Sequence, residues 1–89
     1  MADVVIYTTT YCPYCVRARQ LLDGKKISYT EIRVDDHPEK RQEMISRSTR
    51  RTVPQIFING QAIGGCDDMY ALEYSGRLDE LLKEDKPTS

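Results

Sequence analysis

Asn59-Gly60 lies between the apolar runs Val53-Pro54-Gln55-Ile56-Phe57-Ile58 and Gln61-Ala62-Ile63, and no other stretch limits the fold so tightly. Asn-Gly favours a type I′ turn, whose twist matches that of antiparallel strands, so a hairpin is expected here. Upstream the pattern changes. Val4 to Thr8 reads as a central strand, apolar on both faces. Pro13 then opens a helix, where its missing N–H would be unpaired anyway. That helix runs to about Asp23, with Cys15, Ala18, Leu21 and Leu22 on one face and Gly24 as its stop. Ser28 to Val34 alternates Tyr29, Ile32 and Val34 with polar residues and reads as a second strand. Strand, helix and strand within about thirty residues imply a right-handed parallel crossover. A parallel pair plus a hairpin means a mixed sheet.

The remaining segments are helical. Asp35, Asp36 and Pro38 open a helix carrying Glu39 and Glu43 early and Arg47 late, as the macrodipole prefers. Its apolar stripe is thin, Met44 and Ile45, so it should be half solvated. Gly64-Gly65 ends the hairpin, and Asp67 or Asp68 is expected to cap a third helix reaching about Ser75. Past Gly76, Leu78, Leu81 and Leu82 suit a short last helix, and residues 84–89 read as a frayed tail. The expected order is β-α-β-α-β-β-α-α: an α/β fold, four-stranded mixed sheet, helices on both faces, one domain over residues 1–83.

Composition removes several function classes. The chain has 89 residues with 39% hydrophobic and 30% charged content, enough for one modest core. Thirteen Lys and Arg against fourteen Asp and Glu give a net charge of −1, which points to neither nucleic acid nor an anionic membrane. The longest apolar run is four residues, so nothing should span a membrane, and no basic-then-apolar start suggests secretion. Three cysteines, two of them close together, do not make the framework of a small secreted domain. A reducing cytoplasm is the expected setting, and the absence of a large apolar stripe fits a monomer.

Cys12-Pro13-Tyr14-Cys15 carries the chemistry. A strand feeding a helix places both sulfurs on the helix's first turn. There Cys12 meets unpaired backbone N–H groups and the positive end of the macrodipole, which favour thiolate over thiol. Cys12 is therefore the expected nucleophile. Cys15, one turn in and facing the core, is the expected resolving thiol. Pro13 and Tyr14 set the turn and with it the balance between dithiol and disulfide, where about 30 mV corresponds to ~1.4 kcal/mol. Tyr14 is expected to line a substrate groove.

Two further constellations carry less on their own. Val53-Pro54 is either an edge-strand device or a cis peptide whose preceding residue presents its backbone to an extended thiol peptide. Gly64-Gly65-Cys66-Asp67-Asp68 leaves N–H groups open to an anion at a helix start, or is only a hairpin exit with a doubled cap. Cys66 reads as a small buried hydrophobe. A zinc site would need Cys12, Cys15, Cys66 and His37, which lack a second tight pair.

Together, Cys12-Pro13-Tyr14-Cys15, Thr52-Val53-Pro54 and Gly64-Gly65-Cys66-Asp67-Asp68, in that order and spacing, resemble the glutaredoxin family in its dithiol Cys-Pro-Tyr-Cys type. The length and the hairpin are most similar to its small bacterial members, and the resemblance covers residues 2–83. It implies a thioredoxin fold and a glutathione-dependent thiol–disulfide oxidoreductase, with glutathione as co-substrate and no tightly bound cofactor or metal. The implied partners are disulfide-containing or glutathionylated proteins, ribonucleotide reductase among those the family serves. By the same resemblance Pro54 would be cis and Val53 would pair its backbone with the glutathione cysteine. Thr52 and Tyr14 would flank the groove, Asp67 and Asp68 would hold the γ-glutamyl end, and Arg41 would meet the glycyl carboxylate. One position departs: the family usually has Lys three residues before the first Cys, and here Thr9 stands there. Weaker glutathione binding, or compensation by Arg41, Arg50 or Arg51, is expected. The alternative within this resemblance is an iron–sulfur cluster carrier, in which two monomers and two glutathiones share the cluster; Pro13 should crowd it.

Overall fold

Strand β1 (Val4–Thr8) is apolar on both faces because each face has its own core. The computed structural model describes residues 3–83, so the tail expected at 84–89 lies outside the described residues. After β1 come α1 (Pro13–Gly24), β2 (Thr30–Arg33), α2 (Pro38–Ser48), β3 (Gln55–Ile58), β4 (Gln61–Gly64), α3 (Cys66–Tyr74) and α4 (Arg77–Lys83). This is the expected order. The sheet runs β2-β1-β3-β4, with β2 parallel to β1 and the other pairs antiparallel. Asn59 and Gly60 both take positive φ, 54° and 83°, as a type I′ turn requires.

Period-two alternation sorts the side chains. Val4 and Ile6 join Ile56 and Ile58 beneath α1, α3 and α4, where Ala18, Leu22, Met69, Leu78 and Leu82 complete the larger core. Each large side chain buried there contributes about 1.5–3 kcal/mol of transfer free energy. Tyr7 and Phe57 face the other way and meet Met44 of α2 and Val34.

Helix α2 has the thin stripe its sequence implies, and a polar cluster supplements it. The Tyr7 hydroxyl donates to Glu43 Oε2 at 2.8 Å and accepts from Arg47 Nη1 at 3.0 Å. The Arg47 guanidinium lies 4.4 Å from the centroid of the Phe57 ring, whose neighbour Tyr7 meets it edge-on at 5.6 Å. Burial, then the Glu43 carboxylate, pushes the Tyr7 hydroxyl pKa up, so it stays a donor. This fixes α2, and α2 leads directly into the segment bearing Arg50, Thr52 and Val53.

Three boundaries differ from expectation. Strand β2 keeps only four residues, since only Thr30–Arg33 find partners on β1. Helix α2 starts at Pro38 behind His37, with no side-chain cap. Asp35 instead accepts from the Thr10 amide at 2.9 Å and pins the loop leading to Cys12. Helix α3 starts at Cys66 with Gly65 as its N-cap, so neither Asp67 nor Asp68 occupies the cap position. Asp68, in the first turn, reaches back to accept the Gly65 amide at 2.9 Å.

Candidate active site

Cys12 is itself the N-cap of α1, in extended backbone with φ −136°. Its Sγ accepts the Cys15 amide at 3.3 Å, so the sulfur takes the place a Ser or Asp oxygen fills in ordinary caps. Sγ also donates toward the Val53 carbonyl at 3.7 Å, across the gap between α1 and the Val53-Pro54 turn. Pro13 at N1 leaves no N–H to compete for that sulfur. Both Cys12 and Cys15 are free thiols, Cys12 partly accessible and Cys15 fully buried.

The two sulfurs are unequal. Burial, then the hydrogen bond and charge of Cys12, push the Cys15 thiol up to about 12, against the pull of the Thr9 backbone and Arg19. Burial also pushes Cys66 up, in keeping with a small core residue. Cys15 and Cys66 are both shielded from solvent.

An open cleft of about 310 Å³ is lined by Val53, whose carbonyl meets Cys12 Sγ, although Cys12 itself is not among its lining residues. Tyr14 from α1 forms one side. Thr52, Val53 and Pro54 form another, with the Val53–Pro54 peptide cis. The start of α3, from Gly65 to Asp68, closes the third. Gly64, at φ 117°, is required where β4 turns into α3: a Cβ there would run into the Asp68 carboxylate.

The structure thus gathers Tyr14, Thr52, Val53, Pro54, Asp67 and Asp68 at one cleft beside Cys12. Arg41 is not part of that lining. It stands on α2 and donates from Nη2 to the Arg51 carbonyl at 3.3 Å, next to Thr52. Arg50 is the cation that reaches the cleft, its Nη1 2.8 Å from Asp68 Oδ2. The Gly65 amide, then Arg50, hold the Asp68 carboxyl below its ordinary range. The sequence offered Arg41, Arg50 and Arg51 alike as compensating cations. What selects Arg50 is the left-handed turn at Thr49, φ 61°, which spacing alone does not reveal. The zinc ligands considered above do not converge: among the described residues no three His, Cys, Asp or Glu side chains come together as a metal site. Nor is any helix among them long and apolar enough to cross a membrane.

The arrangement suits exchange between thiols and disulfides, and known proteins agree. The glutaredoxin family model matches residues 4–63. Glutaredoxin 3 of Escherichia coli (strain K12) is 59% identical over 93% of this chain and 100% of its own length. Glutaredoxin of Pseudomonas aeruginosa is 52% identical over 92% of this chain and 98% of its own. Among solved structures, a glutaredoxin from Brucella melitensis superposes with a TM-score of 0.83 at 55% identity, covering 93% of this chain and 90% of that one. A buckwheat glutaredoxin–glutathione complex gives 0.84 at 33% identity, covering 91% and 76%. The fold they share is the thioredoxin fold.

Proposed function

The chain belongs to the glutaredoxin family of thiol–disulfide oxidoreductases, and on that premise we propose that it uses glutathione to reduce protein disulfides and protein–glutathione mixed disulfides. Cys12 attacks the glutathione sulfur of a mixed disulfide; the Cys12–glutathione bond forms, the old S–S bond breaks, and the protein thiolate leaves and takes a proton. A second glutathione thiolate attacks the glutathione sulfur on Cys12. Oxidised glutathione departs and Cys12 is restored. With a protein disulfide, Cys12 first bonds one protein sulfur. Cys15 then attacks Cys12 Sγ, releasing the second protein thiolate and leaving a Cys12–Cys15 disulfide for two glutathiones to reduce.

A buried resolving thiol would be too weak an acid unless its surroundings changed. Two of the causes that raise Cys15 come from Cys12 itself. Both disappear once Cys12 Sγ enters a mixed disulfide, so Cys15 becomes more acidic at the step that needs its thiolate. The Val53 carbonyl, 3.7 Å from Cys12 Sγ, is placed to accept a backbone N–H of the bound thiol peptide.

Glutathione fits the cleft by charge. Its γ-glutamyl ammonium meets Asp67, and its α-carboxylate meets the N–H groups at the start of α3. Tyr14 and Thr52 flank its cysteine, and Arg41, held beside Thr52 by the Arg51 carbonyl, serves the glycyl carboxylate. A cytoplasmic setting, rich in reduced glutathione, is where such a cycle turns over.

The observation that carries this reading is the asymmetry at α1: Cys12 accessible at the cap, Cys15 buried one turn in. A coupled assay with glutathione, glutathione reductase and NADPH tests it. Cys12→Ser should be inactive on every substrate. Cys15→Ser should keep activity on glutathione mixed disulfides and lose it on protein disulfides. Full activity in Cys12→Ser, or reduction by thioredoxin reductase in place of glutathione, would overturn it.

A further inference from the structure

Cys66 and Asp67 form a wall with a face on each side. Beyond it a second recess, about 260 Å³, runs between α1 and α3, bordered by Arg17, Tyr70, Ala71 and Tyr74. Tyr70 and Tyr74, one helical turn apart, have ring centroids 6.2 Å apart and tilted by 43°. The Arg17 guanidinium sits 5.8 Å from the Tyr70 centroid, and the Tyr70 hydroxyl donates to the Arg17 carbonyl at 3.3 Å. The two helices are therefore tied to each other where the recess lies.

Its surface is unusual for a solvated face. Tyr74 is 84% exposed, and Tyr11 and Tyr14 near Cys12 are 95% and 53% exposed. Exposed aromatics scattered singly mean little, but here a tilted pair adjoins a groove already assigned to substrate. The charges differ too. Arg50, on the glutathione side, is paired with Asp68, whereas Arg17 has no carboxylate partner among the described residues.

Resting on the oxidoreductase reading above, we propose that this recess docks the polypeptide of the substrate, taking an acidic side chain on Arg17 and an adjoining apolar one on the Tyr70–Tyr74 pair. Sharing Cys66 and Asp67 with the glutathione cleft, it is the path for a chain whose cysteine sulfur leaves as Cys12 takes the glutathione. Arg17 lies five positions after Cys12 in sequence, about 7.5 Å along the helix axis at 1.5 Å per residue. An extended strand advances about 3.3 Å per residue, so the acidic residue stands roughly two to three positions from the reacting cysteine.

The test compares three substrates in the glutathione-coupled assay: the small mixed disulfide of glutathione and mercaptoethanol, and two glutathionylated decapeptides. One peptide has Glu three positions from its cysteine; the other has Lys there. Arg17→Glu should raise KM for the Glu peptide about five- to tenfold and lower it for the Lys peptide, with kcat and the small disulfide unchanged. Tyr74→Ser should raise KM for both peptides about threefold and leave the small disulfide alone. If wild type reduces the small disulfide but Arg17→Glu treats both peptides as wild type does, the docking recess is overturned and the oxidoreductase reading stands. A wild type idle on the small disulfide overturns both. A wild-type dimer that Tyr74→Ser converts to monomer would assign the recess to a second copy, and overturns the proposal likewise.

Discussion

Replacing Asp68 by Asn and by Ala separates the parts of one contact that joins fold and site. The carboxylate accepts the Gly65 amide at 2.9 Å and Arg50 Nη1 at 2.8 Å, in the first turn of α3. Asn keeps an acceptor for the amide and loses only charge. The Arg50 pair is half exposed, 53% and 45%, so it contributes at most ~1 kcal/mol. The helix dipole adds roughly 0.3–1 kcal/mol. Asp68→Asn should cost about 1 kcal/mol. Asp68→Ala should cost about 2 kcal/mol, because the capping bond contributes ~1 more. Each kcal/mol corresponds to about 4–8 °C in Tm for a domain this size.

The pH dependence gives a second check on the same variants. The folded Asp68 pKa lies below the unfolded one, so its stabilisation is complete above the unfolded value, about pH 4, and is lost as pH falls through the folded value. Urea denaturation at neutral pH, repeated down to the lowest pH at which the chain still unfolds cooperatively, reads this directly. The gap between wild type and Asp68→Asn should close in acid. Variants that match wild type at neutral pH, or a gap unchanged through the acid range, would refute the reasoning.

Two other perturbations follow from the same geometry. Thr49 holds a left-handed φ of 61° with a β-branched side chain, so Thr49→Gly should stabilise the chain by about 0.5–1 kcal/mol in thermal unfolding, and a loss of stability would contradict it. Thr9→Lys restores a cation where the family usually has one, and kcat/KM for glutathione should rise several-fold, up to about fivefold for a surface pair; an unchanged rate would contradict the expected weakening at Thr9.

How much of this was readable beforehand depends on whether a rule is local. Asn59-Gly60 dictated its hairpin because only that turn type tolerates positive φ at both positions and matches strand twist. Pro13 and the Cys15-Ala18-Leu22 spacing fixed α1 and buried the second sulfur. Helix starts were harder. Asp35 looked like part of a cap for α2, yet it serves the Thr10 amide on another loop, a partner 25 positions away. The Asp67-Asp68 pair hid the true cap at Gly65, because an acid in the first turn can reach backward as well as sit at the boundary. Arg50 rather than Arg41 lines the cleft since the chain reverses at Thr49. The Arg17–Tyr70 contact joins two helices 53 positions apart, beyond any spacing rule.

The proposed chemistry turns on the difference between the two α1 thiols. Its most direct test is the initial rate of iodoacetamide alkylation at each cysteine of the reduced protein, followed by mass spectrometry across pH. Cys12 should be modified first and alone at neutral pH, while Cys15, buried and pushed up to about 12, stays unmodified until strong alkali. Comparable labelling of Cys15 in the folded chain at neutral pH would contradict the assignment of nucleophile and resolving thiol.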